Sequence, residues 1–267
     1  MITIITLLVV LIQLSSSQLN GKKEDGIPEG FAVYTSLDKL LDFFRNQTDP
    51  IAKDIVETFL RDCVYPGIHD GTRNALMKPV IVMEGNHRSS RDIISMGLAE
   101  IMNARYLIHP APCIYKFHTL IPKGTLLRRA FYLLSDYAVS YYAKANFNRP
   151  IVINGYWTEK MAFAMSHTYT NETIPPLSSD VFKWPEGLLK PDFIFYLTFP
   201  EALMSKFATT RSPQIWKRRM LQVYEYMSQR HPIVITEIKS LFKLTTEDIH
   251  RHIRQNFYDK FQNMTFH

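Results

Sequence analysis

A short polar turn between two apolar segments holds the residues whose types and spacing best suit phosphate binding. The apolar run at residues 80–83 ends before the turn, and an apolar-periodic segment resumes at Ile93. The candidates for phosphate contact in this turn are Gly85, Arg88, Ser90, Arg91 and Asp92. A turn from a strand into a helix directs backbone N–H groups and the positive end of the helix dipole at an anion. The pattern predicts a phosphate site; the alternative is an ordinary turn whose helix is capped by Ser89, Ser90 or Asp92.

The spacing within this turn is that of the P-loop motif, in which a glycine is followed after four residues by Gly-Lys-Ser/Thr. Gly85 keeps the first position, but Ser90, Arg91 and Asp92 stand at the other three. A Cβ at residue 90 obstructs the close approach of backbone to phosphate. An aspartate at residue 92 places a carboxylate at a helix N-terminus, where it is able to fill the anion site itself. The sequence therefore predicts the frame of a phosphate loop with altered chemistry.

Length and composition bound the fold and the class of ligand. With 267 residues, of which 46% are hydrophobic and 13% aromatic, the chain is long enough for one large globular domain and a short extension. Its formal net charge of +6 favours phosphate-bearing ligands or acidic surfaces. Because the basic residues are scattered and form no long Lys/Arg run, nucleic-acid binding is not predicted.

The first 17 residues are an apolar segment that ends in small residues, with Ser15 and Ser17 at the −3 and −1 positions of a cleavage site. This pattern predicts a secretory signal peptide and export, with a mature N-terminus near Gln18; the alternative location is the mitochondrion. No second segment is long and apolar enough for a membrane span, so no membrane association is predicted after cleavage. Three sequons predict N-glycosylation, at Asn46, Asn171 and Asn263.

The two cysteines, Cys63 and Cys113, allow at most one internal disulfide, and two buried free thiols are the alternative. No cysteine-based zinc site is predicted. His69 and His109 have no ligand spacing with other histidines or carboxylates, so no metal site is predicted. Two histidines of the last predicted helix are expected at its surface, on different faces: His250 and His252.

Strand and helix patterns alternate along the rest of the chain. Strands are predicted at residues 80–83, 105–108, 150–154, 193–198 and 231–236. Helices are predicted after Ser36, from Asp49-Pro50, over residues 125–145 and from Thr246. Strands separated by helices imply a parallel sheet covered on both faces. We therefore predict a three-layer α/β domain over residues 78–267, with ligands at the carboxyl ends of its strands and a tether and helical extension over residues 18–77 before it.

Four blocks of the chain resemble the thymidylate kinase family, especially its mitochondrial-type UMP-CMP kinase branch. They are Leu127-Arg-Arg-Ala-Phe-Tyr, Asp136-Tyr-Ala-Val, Pro150-Ile-Val-Ile-Asn-Gly-Tyr-Trp and Trp184-Pro-Glu-Gly-Leu-Leu-Lys-Pro-Asp. Pro112-Cys113-Ile114 precedes them in matching order, and the resemblance runs from about Lys78 to the C-terminus. It implies a P-loop kinase fold and transfer of the γ-phosphoryl group of ATP, with Mg²⁺, to a pyrimidine nucleoside monophosphate.

The resemblance also implies that the ATP and magnesium site is damaged. Arg91 stands at the family's lysine position, and Asp92 replaces its Mg²⁺-binding hydroxyl. Asn154-Gly155-Tyr156 matches the family's Asp-Arg-Tyr, so a magnesium-site carboxylate and a phosphate-binding guanidinium are both replaced. The altered catalytic positions are therefore Arg91, Asp92, Asn154 and Gly155. The residues still expected to contact phosphate are Gly85, Arg88, Ser90 and Arg91.

By the same resemblance, the monophosphate side of the site is retained. Arg128 and Arg129 match the family's arginine pair; the alternative is a solvated helix start. Basic residues also lie where the family has its lid, or on a solvated helix: Arg211, Arg218 and Arg219. Three aromatic residues are candidates for a base pocket or for the core: Phe131, Tyr137 and Trp157.

Three functions are compatible with these residues. The first is a nucleotide-binding protein, derived from a nucleoside monophosphate kinase, that binds a pyrimidine nucleotide with little or no phosphoryl transfer. The second is an active kinase that uses ATP and Mg²⁺ through the substituted residues. The third is a secreted structural or interaction protein with an empty pocket. The joint changes at Ser90, Asp92, Asn154 and Gly155 favour the first and third. Outside the kinase interpretation no cofactor is predicted, and the sequence identifies no protein partner.

Overall fold

The structure, a computed structural model, describes residues 29–66, 77–146, 148–170, 172–200 and 215–257. The predicted signal peptide, His69, Asn171, Arg211 and Asn263 lie outside these residues. Within the described ranges, no helix combines the length and the hydropathy that a membrane crossing requires.

Five parallel strands of the described residues form one sheet. In chain order they are β1 (Val80–Gly85), β2 (Arg105–Leu107), β3 (Ile151–Asn154), β4 (Phe193–Thr198) and β5 (Ile233–Glu237). Their order across the sheet is β2-β3-β1-β4-β5, and every neighbouring pair runs parallel. β1 therefore lies in the middle, where its carboxyl end adjoins those of β3 and β4.

The α-helices of the described residues are α1 (Leu37–Arg45), α2 (Pro50–Asp62), α3 (Arg88–Ile101), α4 (Leu126–Ala145), α5 (Trp157–Thr168), α6 (Ile215–Met227) and α7 (Phe242–Phe257). Short 3-10 segments lie at Glu29–Tyr34, Pro112–Thr119 and Asp180–Phe182. Ser36 caps α1 by accepting from the Lys39 N–H, and Asp49 caps α2 by accepting from the Ile51 N–H. Both helix starts are as predicted.

Apolar helix faces cover both sides of the sheet. On one side, α3 and α7 pack against a face that includes Ile81, Met83 and Phe195. On the other side, α4, α5 and α6 pack against a face that includes Val80 and Val82. Successive residues of β1 thus enter opposite layers, and the whole strand is buried. The predicted three-layer α/β fold with a parallel sheet is confirmed.

The N-terminal extension joins the same core. Phe44 of α1 and Phe59 of α2 are buried in the cluster that also contains the apolar face of α4. Cys63, the residue after α2, forms a disulfide with Cys113 in the Pro112–Thr119 segment, across a sequence separation of 50 residues. Of the two alternatives for the cysteines, the structure therefore has the disulfide. The extension is held by a covalent bond as well as by apolar packing.

Two predicted helix starts were wrong. α3 begins at Arg88, and its cap is His87, whose side chain accepts from the Ser90 N–H, rather than one of the predicted Ser or Asp residues. The apolar pattern placed this start too late because the first turn of the helix is polar. α7 begins at Phe242 instead of Thr246, and Phe242 packs against the core between the sheet and α7.

The prediction that His250 and His252 are surface residues was also wrong, because both are partly buried. The ring of His252 lies edge-on to Phe193 and Phe195, with centroid distances of 5.4 and 5.6 Å. Burial lowers the pKa of His252 below its usual value. This histidine belongs to the packing of α7 on the sheet.

Candidate functional site

A cleft of about 970 Å³ opens at the carboxyl ends of β1 and β3. It is bounded by the turns after these two strands, by the first turns of α4 and α5, and by the Pro112–Thr119 segment. Eight residues singled out in the sequence line it: Gly85, Arg88, Arg91, Asp92, Arg128, Arg129, Asn154 and Gly155. The cleft therefore lies where a parallel sheet of this kind takes its ligands.

Gly85 is required by the geometry of the first turn. Its φ of +145° is rarely adopted by residues with a side chain, and a Cβ there would lie 2.5 Å from the backbone oxygen of Leu197. The next residue, Asn86, donates from Nδ2 to the hydroxyl of Tyr196 at 2.7 Å. The turn is thus held close against β4.

Ser90 points away from the cleft. The residue is 1% exposed, and its hydroxyl lies 2.7 Å from Nδ1 of the capping His87. Ser90 does not line the cleft, and its hydroxyl binds the residue that caps α3. The structure therefore gives no support to the predicted role of Ser90 in phosphate binding.

Arg91 is bound within the protein. Its Nη1 donates to the backbone oxygen of Gly85 at 3.2 Å and forms an ion pair with Oε1 of Glu159 in the first turn of α5. The Arg91 side chain is only 12% exposed. The cation that the resemblance assigns to phosphate binding is therefore already neutralised by a carboxylate of this chain.

Asp92 and Asn154 bind each other across the cleft floor. Asn154 donates from Nδ2 to Oδ1 of Asp92 at 2.6 Å and to the hydroxyl of Tyr106 at 2.5 Å. The second oxygen of Asp92 lies 3.8 Å from Nε of Arg88. The expectation that Asp92 itself fills the anion site was wrong, because its carboxylate turns toward β3; the internal carboxylate on the phosphate cation is Glu159.

Gly155 makes room for this ion pair. It has φ +81°, and a Cβ built there would lie 2.8 Å from Oε2 of Glu159 and 3.9 Å from both terminal nitrogens of Arg91. A larger residue at this position would therefore meet the Arg91–Glu159 pair directly. The ion pair therefore fits in the cleft only with glycine, the one residue without a Cβ, at position 155.

Glu84, which the sequence showed only as the end of a strand, anchors the start of α5. It is fully buried, and Oε1 accepts from the backbone N–H groups of Tyr156 and Glu159 at 3.0 and 3.1 Å. The hydroxyls of Thr158 and Tyr224 also donate to it. Burial, with the nearby Glu159 carboxylate, raises the pKa of Glu84 to about 7. Since Tyr156 caps α5 without a side-chain bond, Glu84 satisfies these N–H groups instead.

A second buried cluster lies in the cleft wall. Asp136 of α4 is fully buried and accepts from Nζ of Lys160 at 2.8 Å, and Nε2 of His109 lies 3.4 Å from the same oxygen. Burial raises the pKa of Asp136 to about 7 against the opposing effect of Lys160, and it lowers the pKa of His109. Asp136 is the one acidic residue of α4, and that isolated charge was the sequence feature able to reveal the cluster.

The two arginines of the predicted monophosphate pair have different environments. Nη1 of Arg128 donates to the backbone oxygens of His118 and Ile121, both at 2.7 Å, so Arg128 holds the loop before α4. The Arg129 guanidinium lines the cleft. It forms no hydrogen bond or ion pair with any other residue that the structure describes. Arg129 is therefore the better candidate for an anionic ligand.

Other predicted site residues do not line the cleft. Phe131, Tyr137 and Trp157 are buried in the core, which was the alternative given for them. Arg218 is exposed on α6. No group of three or more potential metal ligands occurs in the parts of the chain that the structure describes.

The side chains at the loop do not fit a magnesium-bound triphosphate. The Ser90 hydroxyl is paired with His87, the Asp92 carboxylate with the Asn154 amide, and the Arg91 guanidinium with Glu159. Each of these three side chains is held by another residue of the chain.

Comparisons with known proteins agree with the fold. A human protein, UMP-CMP kinase 2, mitochondrial, is 32% identical over 123 residues, which are 45% of this chain and 27% of that protein. The structure of thymidylate kinase from Candida albicans matches with a TM-score of 0.52 at 15% identity, over 67% of this chain and 92% of that one. No family model matches. The chain spans only about a quarter of its human relative, but in fold and sequence it resembles the P-loop nucleoside monophosphate kinases, as its motifs predicted.

Proposed function

We propose that this protein binds a nucleotide through the monophosphate side of a nucleoside monophosphate kinase cleft and has little or no phosphoryl transfer activity. The Arg91–Glu159 ion pair is the main support for the proposal. In it Glu159 binds the guanidinium of Arg91, which is the cation that transfer from a triphosphate requires. Gly155 adds to the loss, since the position carries no guanidinium to stabilise a transition state.

The proposed class of ligand follows from the basic and aromatic side chains that line the cleft. Arg129 offers to a phosphate a guanidinium that no other described residue binds, and Tyr115 and Tyr132 add aromatic surface to the wall beside it. The names of the similar proteins specify UMP, CMP and thymidylate as substrates of those enzymes. A pyrimidine nucleoside monophosphate is therefore the ligand we propose.

Isothermal titration of the mature chain with UMP, CMP and dTMP tests the proposal. A charge-assisted hydrogen bond is worth about 1.5–3 kcal/mol, so Arg129→Ala should weaken binding by about 10- to 100-fold. Arg61→Ala is the matched control, because Arg61 is an exposed arginine of α2 whose ion pair is with its neighbour Asp62. Equal binding by wild type and Arg129→Ala would contradict the role of Arg129, and no binding of any nucleotide would favour an empty pocket.

A coupled kinase assay with ATP and Mg²⁺ separates this proposal from the active-kinase alternative. Turnover should be absent or far below the rate of about one per second at the low end of ordinary kinases. Turnover near that rate would mean that the Arg91–Glu159 pair opens in the presence of ATP, and it would replace our proposal with the active kinase.

We also propose that the chain is exported. The Cys63–Cys113 disulfide supports this, because such bonds persist in oxidising compartments. Asn46, the cap residue after α1, is exposed and available for a glycan. Expression in a secreting cell should give a mature N-terminus near Gln18 and a glycan at Asn46 that Asn46→Gln removes. Unglycosylated protein inside mitochondria would contradict export.

A further inference from the structure

Glu159 lies at the place in the cleft where a bound polyphosphate would meet Arg91. Its Oε1 pairs with Arg91, and its Oε2 lies 2.8 Å from the Cβ position of residue 155. The Glu159 side chain is 27% exposed and lines the cleft together with Arg91. This carboxylate therefore stands between the solvent of the cleft and the buried guanidinium.

We infer that the Glu159 carboxylate occupies the polyphosphate side of the cleft as an internal anion. It therefore weakens the binding of triphosphates to this protein. The inference rests on the proposed function and adds a mechanism of ligand selection to it. The chain supplies its own negative group to Arg91, and a polyphosphate chain must displace that group before it can bind.

The position of Glu159 is fixed before any ligand arrives. Its backbone N–H donates to the buried Glu84, as does that of Tyr156, and these bonds hold the first turn of α5. A carboxylate in the first turn of a helix is further stabilised by the helix dipole. Displacing Glu159 would therefore break an ion pair without moving the backbone to which it is attached.

The neighbouring residues leave the pair undisturbed. Gly155 has no side chain to compete for the guanidinium, and Arg91 makes a second bond to the backbone oxygen of Gly85. The pair is mostly shielded from solvent, and screening by salt weakens such an interaction less than it weakens a surface pair. Residues 91, 155 and 159 thus act together to close the polyphosphate side, while Arg129 still lines the cleft.

Titration with inorganic tripolyphosphate in the absence of Mg²⁺ tests the inference without any nucleoside contact. Wild type should bind weakly, and Glu159→Gln, which keeps the shape and removes the charge, should bind at least tenfold more tightly. Glu57→Gln is the matched control: it makes the same charge change at an exposed pair on α2 and should leave binding unchanged. Adding Arg91→Ala to Glu159→Gln should abolish the gain.

Three results would overturn the inference: tight binding by wild type, no gain in Glu159→Gln, or a gain that persists without Arg91. If circular dichroism shows that Glu159→Gln is unfolded, Glu159→Asp replaces it, since the shorter side chain withdraws the carboxylate from Arg91. That variant should bind tripolyphosphate at least threefold more tightly than wild type, and equal binding would refute the inference. Failure of UMP, CMP and dTMP to bind would contradict the proposed function while leaving these tripolyphosphate results decisive.

Discussion

Restoring the motif residues of an active kinase should not restore activity to this chain while Glu159 is present. The restoration consists of five substitutions: Ser90→Gly, Arg91→Lys, Asp92→Thr, Asn154→Asp and Gly155→Arg. The first four replace side chains in their existing spaces, but the fifth puts a side chain where the structure has none. We expect this last change to limit the whole set.

The cost at residue 155 has two parts. With φ at +81°, a residue other than glycine costs about 1–2 kcal/mol in backbone conformation. In addition, a Cβ would lie 2.8 Å from Oε2 of Glu159, so the carboxylate must move. Gly124 separates these effects, because it also has φ +81° but has nothing within 4 Å of its Cβ position. Gly155→Ala should therefore lower the free energy of unfolding by more than Gly124→Ala does.

Urea unfolding of the two alanine variants measures that difference, and the difference should shrink when both variants also carry Glu159→Ala. The coupled kinase assay then compares the five-substitution variant with and without Glu159→Ala. Because residues that act as a unit are strongly non-additive, we expect turnover only when Glu159 is also removed. Turnover of about one per second with Glu159 intact would refute this reasoning.

Three other variants test separate parts of the structure. The pKa of Asp136 rises from 3.8 to about 7 on folding, mainly through burial, so the native state binds the extra proton and stability from this group falls as pH rises through 7. Asp136→Asn should remove a pH dependence of up to about 4 kcal/mol between pH 4 and 8, measured by urea unfolding. Cys113→Ser opens the bond to Cys63 and should cost about 4 kcal/mol in the chain-entropy model, as should reduction of the wild type. Arg128→Ala should lower the free energy of unfolding by about 1–3 kcal/mol, whereas Arg129→Ala should leave it nearly unchanged.

The frame of the fold could be predicted because its evidence is local. The strand at residues 193–198 was predicted with the bounds that β4 has, since a run of β-branched and aromatic residues marks it directly. The place of the cleft followed from the rule that parallel strands present ligands at their carboxyl ends. Gly85 could likewise be assigned to a tight turn from its position after an apolar run.

The contacts of Glu159 with Arg91 and Glu84 could not be predicted, because each joins residues far apart in the chain. Arg91 and Glu159 are separated by 68 residues, and Glu84 and Glu159 by 75. In the sequence, Glu159 is only an acidic residue in the first turn of a helix, where such residues are common. A motif shows which residue is missing from its own position and cannot show which distant side chain has taken its space.

The disulfide between the extension and the Pro112–Thr119 segment shows that the resemblance and the folded unit begin at different residues. The resemblance starts near Lys78, but the folding unit includes α1 and α2, whose Phe59 packs against Tyr141 of α4. Cys113 lies in the segment that carries Tyr115 into the cleft wall. A substitution in α1 or α2 is therefore expected to reach the cleft wall through the Cys63–Cys113 bond, although the resemblance does not extend to these two helices.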